Sequence, residues 1–267
     1  MTLPPFCAIL EAGTQRDEWQ TRAQFTLDPD KACQRGMIEM CGRFTLTDPD
    51  ADLAVQFNLP EIPDMQPRYN IAPTQPVAAV RMSAEGSGRE MVLLHWGLIP
   101  FWAKDPKIGA RMINARSETA AEKPAFRAAF RRRRCLVVAD GFFEWQKQNG
   151  TKQPFYIRMQ NAQPFAFAGL WEFWKGEDDR AIESCSLLTT QPNELVRVLH
   201  NRMPVIVQPQ DYGLWLDPEM QDVERLQPLL QPYSPEEMEA YAVSRYVNSP
   251  DNDDPRCIEP YPLQQSF

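Results

Sequence analysis

Short apolar runs, separated by prolines, glycines and polar residues, recur along residues 41–243 and constrain the fold most. The runs at residues 77–82, 91–96 and 134–139 have the length of β-strands. Their spacing is too irregular for repeated βαβ units. The pattern therefore predicts an α+β fold with a curved, mostly antiparallel, barrel-like β-sheet core and flanking short helices. Further strands are predicted at residues 41–47, 155–159, 165–170, 184–190, 205–207 and 241–243.

Helices and loops are predicted between these strands. Asp48-Pro49-Asp50 favours the start of a helix that runs through Phe57. The proline-rich residues 60–76 predict an extended loop, and residues 97–113 predict a second one. Further helices are expected at residues 118–130, 192–199 and 210–216.

The chain of 267 residues fits one large domain. Residues 1–39 are polar and lack regular patterning, so we interpret them as an N-terminal extension: an incorrectly assigned start, a propeptide or a disordered segment. Residues 40–267 are predicted to form a single domain that ends in an acidic tail.

Composition argues against several functional classes. The six cysteines have no metal-ligand spacing and there are only two histidines, so we expect no metal, no cofactor and reduced thiols. No apolar run has the length of a membrane span, and the first residues do not resemble a secretory signal. We therefore expect a cytoplasmic, monomeric protein without a membrane partner.

Charge is distributed unevenly along this acidic chain of net charge −8. Residues 104–134 contain ten basic and three acidic residues, whereas residues 211–267 contain twelve acidic and three basic ones. A local basic face attracts phosphates even on an acidic protein, because screening limits the encounter to nearby charges. The four arginines at residues 131–134 are equally consistent with a solvated helix end.

Met40-Cys41-Gly42-Arg43-Phe44 is typical of the start of a protein. If Cys41 becomes the N-terminus, it carries a free α-amine and a thiol on adjacent carbons. An aldehyde condenses with the amine, and the thiol then closes a five-membered thiazolidine, a step that benefits from being intramolecular. A buried structural cysteine is the alternative interpretation of Cys41.

Four clusters of residues, in order along residues 41–250, resemble the family of SOS response-associated peptidases, also called abasic-site processing proteins. They are Cys41-Gly42-Arg43-Phe44; Arg68-Tyr69-Asn70-Ile71-Ala72-Pro73-Thr74; Trp96-Gly97-Leu98-Ile99-Pro100 with Asn114-Ala115-Arg116-Ser117-Glu118-Thr119; and Gly141-Phe142-Phe143-Glu144-Trp145 with His200-Asn201-Arg202-Met203-Pro204. In that family the mature protein begins at the cysteine, and residues 1–39 depart from this pattern.

The resemblance implies catalytic roles for Cys41, Asn114, Glu144 and His200. The aromatic neighbours of Glu144 should raise the pKa of its carboxyl by desolvation, although an exposed strand-end glutamate is the alternative. His200 can deliver a proton to the ring oxygen of the abasic sugar in DNA. A structural role is the better interpretation of His95. Asn114 can orient the α-amine through its side-chain oxygen.

The same resemblance implies a surface for DNA. Arg116 and Arg202 have the fork geometry that suits phosphates. Trp96 and Trp102 offer planes for stacking on bases, or else belong to the core. Further DNA-binding candidates are Arg43, Arg68 and Asn70.

The sequence therefore predicts a DNA-damage response protein whose partner is single-stranded DNA with abasic sites. We expect it to form a thiazolidine crosslink through Cys41 after removal of Met40 or of residues 1–40, with an associated autoproteolytic, peptidase-like activity, and to associate with the nucleoid when bound. A general cysteine peptidase that uses Cys41, His200 and Asn114 is one alternative. A non-catalytic single-stranded DNA-binding module is another.

Overall fold

The computed structural model describes residues 42–49, 53–84, 86, 88–148, 150–177 and 179–262. Residues 1–41, which include the predicted extension and Cys41, lie outside the described residues. The β-strands of the described part are β1 Phe44–Leu46, β2 Arg68–Ile71, β3 Pro76–Met82, β4 Arg89–Trp96, β5 Asn114–Arg116, β6 Arg134–Ala139, β7 Gly141–Gln148, β8 Thr151–Met159, β9 Phe165–Lys175, β10 Ala181–Thr190, β11 Met203–Pro204, β12 Ile206–Val207 and β13 Met238–Ala242.

Five strands close into a barrel. The strand order is β10-β4-β3-β6-β9, and β9 pairs with β10 to complete the ring. The β10–β4 pairing is parallel and the other four are antiparallel. Closure removes the free edges of these strands. The predicted α+β class with a barrel-like, mostly antiparallel core is confirmed.

A second, fully antiparallel sheet has the order β13-β8-β7-β1-β2. One face of this sheet packs on the barrel. There the rings of Phe44 and Phe142 lie against Phe167 of β9, with centroids 5.7 and 6.0 Å away. The opposite face carries a smaller apolar cluster built on Phe143, Tyr156 and Val247. Strands β7 and β1 therefore lie between two apolar layers.

The helices of the described part are short. They are α1 Leu53–Phe57, α2 Ser117–Ala120, α3 Arg127–Arg132, α4 Tyr212–Leu216 and α5 Val223–Leu226, with 3₁₀ helices at Pro106–Arg111, Pro209–Asp211, Gln227–Leu230, Pro235–Glu237, Arg245–Asn248 and Pro255–Cys257. Helices of this length are marginal alone and depend on packing. No helix in the described part is both long and apolar enough to cross a lipid bilayer.

Three local predictions were wrong. The helix expected at residues 118–130 is two helices, α2 and α3, because Pro124 lies between them and cannot continue a helix. The loop expected at residues 60–76 contains β2, whose pairing with β1 supplies a partner that local sequence does not reveal. The helix expected at residues 192–199 is a set of turns.

Candidate functional site

The register between β1 and β7 brings the start of the described chain to the candidate acid. Phe44 lies opposite Phe142, and the Phe143 N–H donates to the Arg43 carbonyl at 3.0 Å. Two residues further along this antiparallel register, Gly42 would lie opposite Glu144. Residues directly opposite each other in an antiparallel pair share one face of the sheet. The chain that follows Cys41 therefore runs antiparallel to the strand of Glu144.

Glu144 is a buried carboxyl on the barrel-facing side of β7. Its side chain alternates with Phe143 and shares the face of Phe142, and the residue is only 3% exposed. Burial raises the pKa of Glu144 to about 8, against a smaller lowering effect from a hydrogen bond with the Trp145 backbone. Its Oε1 atom has no hydrogen-bond partner among the described residues. Glu144 is thus a neutral acid at neutral pH, with an oxygen available to a reacting group.

His200 is held by the main chain of a neighbouring residue. Its Nδ1 lies 3.2 Å from both the backbone N and the backbone O of Arg202. The N–H can donate to an unprotonated Nδ1, and the carbonyl can accept from a protonated one. Nδ1 therefore has a main-chain partner in either tautomer, and Nε2 is the ring nitrogen outside this contact.

The turns before His200 lie beside β7. The Gln146 side-chain amide donates to the Val198 carbonyl at 3.0 Å. Gln146 follows Glu144 by two residues and so shares its face, and Val198 precedes His200 by two residues. The predicted acid and the predicted proton shuttle thus lie on segments in direct contact.

Asn114 begins β5 and is 9% exposed. The parallel pairing of β5 with β10 sets it beside Leu187. The carbonyl of the preceding Ile113 accepts from the Trp96 indole N–H at 2.9 Å. The Trp96 ring in turn packs edge-on against Phe44 of β1, with centroids 5.1 Å apart. Trp96 therefore connects the strand of Asn114 to the strand that follows Gly42.

The stacking role predicted for Trp96 is wrong, because its ring is fully buried in the core. Trp102 differs, since 49% of its surface is exposed, and Phe101 beside it is 61% exposed. Their loop is fixed by close contact of two glycines. A Cβ on Gly97 would lie 2.7 Å from the Gly109 carbonyl oxygen, and Gly97 has a φ of 143° that favours glycine.

Two predicted phosphate-binding arginines have different environments. Arg202 is 8% exposed and its guanidinium forms a two-point contact with the Glu118 carboxylate, at 2.5 and 2.9 Å. It also donates to the Thr189 carbonyl. Arg116 on β5 is exposed. The guanidinium of Arg202 is held by Glu118 and Thr189, whereas Arg116 is exposed; the phosphate-binding role of both arginines stays a prediction.

The guanidinium of Arg43 and the amide of Asn70 are used within the protein. Arg43 donates to Asn70 Oδ1 and to the carbonyls of Val247 and Asn248, at 2.8 to 3.1 Å. Asn70 is fully buried and donates to three carbonyls of the same C-terminal segment. These are the carbonyls of Val247, Ser249 and Asn252.

The Arg68 guanidinium forms an ion pair with Asp253 through Nε, and its Nη2 donates to the Gln75 side-chain oxygen at 2.7 Å. Asp253 also accepts from the backbone N–H of Asn70 at 2.9 Å. Together with Arg43, these side chains attach residues 247–253 to β1 and β2. These contacts give the three side chains an internal role, and their DNA-binding role stays a prediction.

The basic residues of the segment 104–134 also separate into internally paired ones and exposed ones. Arg134 is 3% exposed and donates to main-chain carbonyls, including those of Phe130 and Trp215, while Arg133 pairs with Glu172 at 2.7 Å. Burial lowers the pKa of Arg134 to about 10. The cations that reach solvent are Lys104, Lys107, Arg111, Arg116, Lys123, Arg127, Arg131 and Arg132.

Two contributors near the site were missed from sequence. Trp145 follows Glu144 on the opposite face of β7, is half-buried, and donates its indole N–H to Asn248 Oδ1 at 2.9 Å. Asp140 accepts from the hydroxyls of Thr45 and Thr47, which fixes β1 to the turn that begins β7. The sequence did contain an indication for Trp145, namely its place in the motif of Glu144. No sequence pattern pointed to Asp140.

Among the described residues, no three histidine, cysteine or acidic side chains gather where a metal ion could bind. The predicted site residues Glu144, His200 and Asn114 offer a carboxyl, an imidazole and a carboxamide. They suit addition and elimination at a carbonyl carbon, where protons must be delivered and removed.

The fold and the site define a class of protein: a β-barrel with an adjoining antiparallel sheet, in which a strand of that sheet carries a buried carboxyl with a raised pKa. The chain belongs to the SOS response associated peptidase (SRAP) family, whose model matches residues 40–250.

Among its relatives, abasic site processing protein YoqW of Bacillus subtilis is 46% identical over 224 residues, covering 82% of this chain and 99% of that protein. Abasic site processing protein HMCES of Xenopus tropicalis is 30% identical over 233 residues, covering 75% of this chain and 68% of that protein. The crystal structure of a protein from Bacteroides thetaiotaomicron superposes with a TM-score of 0.73 at 26% identity, covering 83% of this chain and all of that one.

Proposed function

We propose that this protein captures abasic sites in single-stranded DNA by a covalent bond to Cys41. The observation that carries the proposal is Glu144, a buried carboxyl with a pKa of about 8 whose Oε1 has no hydrogen-bond partner among the described residues. It lies on β7, the strand that pairs with β1, and β1 begins two residues after Gly42. Cys41 directly precedes Gly42 in the sequence. Family membership and the printed names of the relatives support the same substrate.

The chemistry needs no redox partner. An abasic sugar is a cyclic hemiacetal in equilibrium with an open-chain aldehyde. The α-amine of Cys41 adds to the aldehyde carbon, and water leaves to give an imine. The thiol sulfur then bonds to the same carbon while its proton passes to the nitrogen, which closes a thiazolidine. An α-amine and a thiol have ordinary pKa values of about 8 and 8.5, so both nucleophiles are accessible near neutral pH.

Each described residue has a matching task. Neutral Glu144 donates a proton to the departing oxygen, and its anion afterwards accepts one. His200, held at Nδ1 by the Arg202 backbone, uses Nε2 to exchange a proton with the ring oxygen of the sugar. The Asn114 carboxamide orients the amine.

The DNA strand has a matching surface. Arg116 is exposed at the end of β5, directly after Asn114 and Ala115. Trp102 and Phe101 present exposed rings on a loop that also carries Lys104 and Lys107. Exposed rings combined with cations suit a single strand, because stacking accepts any base and cations follow the backbone.

The mechanism requires a free amine on Cys41. We propose that the same site removes the residues before Cys41, which would be the peptidase-like activity that the family description names. Cleavage of the bond between Met40 and Cys41 would expose both nucleophiles together. A peptidase acting on other proteins is an alternative outcome of the tests below.

The decisive experiment is covalent capture. The purified chain is incubated with a single-stranded oligonucleotide that contains one abasic site, and a heat-stable adduct is measured on a denaturing gel. Intact mass spectrometry reports the N-terminus of the same sample. We expect a mass that begins at Cys41, an adduct with the wild type, none with Cys41→Ala, and at most a heat-labile adduct with Cys41→Ser.

Cys33→Ala removes a thiol upstream of the proposed terminus and is the matched control, which should behave as the wild type. A heat-stable adduct of undiminished yield in Cys41→Ala would overturn the proposal. Equal yield from a protein that retains residues before Cys41 would exclude the aminothiol. Turnover of an unrelated peptide that depends on Cys41, without any adduct, would favour the cysteine peptidase.

A further inference from the structure

The ion pair of Glu118 and Arg202 joins two separate segments of the site. Glu118 belongs to α2, directly after β5, and Arg202 precedes β11. The carboxylate receives both terminal amines of the guanidinium, at 2.5 and 2.9 Å. Arg202 is nearly buried, whereas the Glu118 side chain is 43% exposed. The hydrogen bond with Arg202 lowers the pKa of Glu118, so the carboxylate stays charged.

Arg202 also supplies the main-chain contact of His200. Its guanidinium is fixed further by the Thr189 carbonyl and hydroxyl on β10. Its backbone N and O both lie 3.2 Å from His200 Nδ1. Glu118 and Thr189 hold the side chain of Arg202, and the backbone of Arg202 holds the imidazole.

A second cation faces the same carboxylate. Arg116 lies two residues before Glu118, opposite Thr189 in the β5–β10 register, and its charge contributes to the lowered pKa of Glu118. Arg202 is neutralised by a two-point contact, whereas Arg116 is exposed. A phosphate approaching Arg116 therefore also meets the negative charge of Glu118, which opposes its binding.

We propose that Glu118 is a positioning residue that holds Arg202 in place and through it sets the orientation of the His200 imidazole, at the expense of affinity for the DNA backbone. The proposal rests on the function proposed above. It assigns opposite signs to the two effects of Glu118: the carboxylate assists the proton transfer of His200 and weakens phosphate binding at Arg116.

The test compares Glu118→Gln with Glu122→Gln, which removes one charge from an exposed glutamate nearby. Crosslinking rates are measured against the concentration of abasic oligonucleotide, and affinity is measured with an intact oligonucleotide that cannot react. For Glu118→Gln we expect the saturating rate to fall about 10- to 100-fold, as for a misplaced reacting group. We expect affinity to rise by up to about five-fold, the scale of one exposed charge interaction. Glu122→Gln should match the wild type in rate.

A measurement without DNA tests the positioning role of Glu118 independently of the proposed DNA-crosslinking function. The chain has only two histidines, so ¹⁵N spectra of the imidazoles contain two spin systems. Glu118→Gln should shift the nitrogens of His200 and leave those of His95 unchanged. Glu118→Asp keeps the charge but shortens the side chain, so it should show wild-type affinity with altered His200 signals.

Unchanged His200 signals in both variants would overturn the positioning role, whether or not the wild type forms an adduct. A fall in DNA affinity in Glu118→Gln would refute the proposal that the charge of Glu118 weakens phosphate binding at Arg116. Shifts at both histidines would indicate a general rearrangement and would also contradict the proposal. Absence of an adduct in the wild type, with His200 signals shifted as expected, would refute only the proposed function.

Discussion

Replacing Glu144 by glutamine should change how the stability of the protein depends on pH. The folded-state pKa of this carboxyl is raised from 4.5 to about 8 because burial penalises the charged form. The folded protein therefore retains a proton that the unfolded chain releases above pH 4.5. A raised folded-state pKa contributes stability that is fully present below the unfolded value and is lost as pH rises through the folded value.

The size of this effect follows from the two pKa values. Each pH unit between them costs about 1.4 kcal/mol of unfolding free energy, so the wild type should lose about 2 to 3 kcal/mol relative to Glu144→Gln between pH 5 and 7. The loss should reach about 4 kcal/mol by pH 9. Glutamine has no ionisable proton, so the variant lacks this contribution.

The assay is denaturant unfolding of both proteins at pH 5, 7 and 9, with the N-terminus of each checked by mass. Other titrating groups are common to both and cancel in the difference. Glu122→Gln, at an exposed position, should show a constant difference from the wild type. A stability difference between wild type and Glu144→Gln that stays constant from pH 5 to 9 would refute the argument that burial keeps this carboxyl neutral.

Other predictions concern DNA binding and packing. Arg116→Ala should weaken binding of single-stranded DNA and reduce the slope of log affinity against log salt by about 0.7, which titrations at several salt concentrations would measure; an unchanged slope would show that Arg116 meets no phosphate. Trp102→Ala should cost about 1 to 3 kcal/mol of affinity for single strands if its exposed ring stacks on a base, as fluorescence titration can show. Abasic sites in single strands should crosslink much faster than those in continuous duplex at equal salt, because unstacking a duplex costs a few kcal/mol; equal rates would contradict this. Gly141→Ala should destabilise the fold, since a Cβ there would lie 2.1 Å from the Tyr156 hydroxyl oxygen, and thermal unfolding without a loss of Tm would exclude that clash.

Local sequence predicts the strand content well, because period and length of apolar runs are properties of short segments. The barrel strands β3, β4 and β6 fall close to the predicted ranges. Strand β7 was not predicted, since its second half, from Gln146 onward, is polar. Its strand form depends on pairing with both β1 and β8.

The sequence also identifies residue types with suitable chemistry. The aromatic residues that flank Glu144 in the sequence predict a raised pKa for its carboxyl, and the burial of the side chain is the physical cause of that shift. Cys41 itself lies outside the described residues, so its role stays a prediction. Only the strand register relates Glu144 to Gly42, because the two residues are distant in the chain.

The surroundings of the arginines depend on tertiary structure alone. Arg116 and Arg202 are the leading phosphate candidates in the sequence and Arg43 is a weaker one, although each has the same guanidinium. Arg43 reaches a carbonyl 204 residues away, and Arg202 reaches a carboxylate 84 residues away. Arg116 alone of the three has an exposed side chain. A motif specifies which groups are present, but whether a charged group meets solvent or the protein depends on long-range packing, which no local pattern encodes.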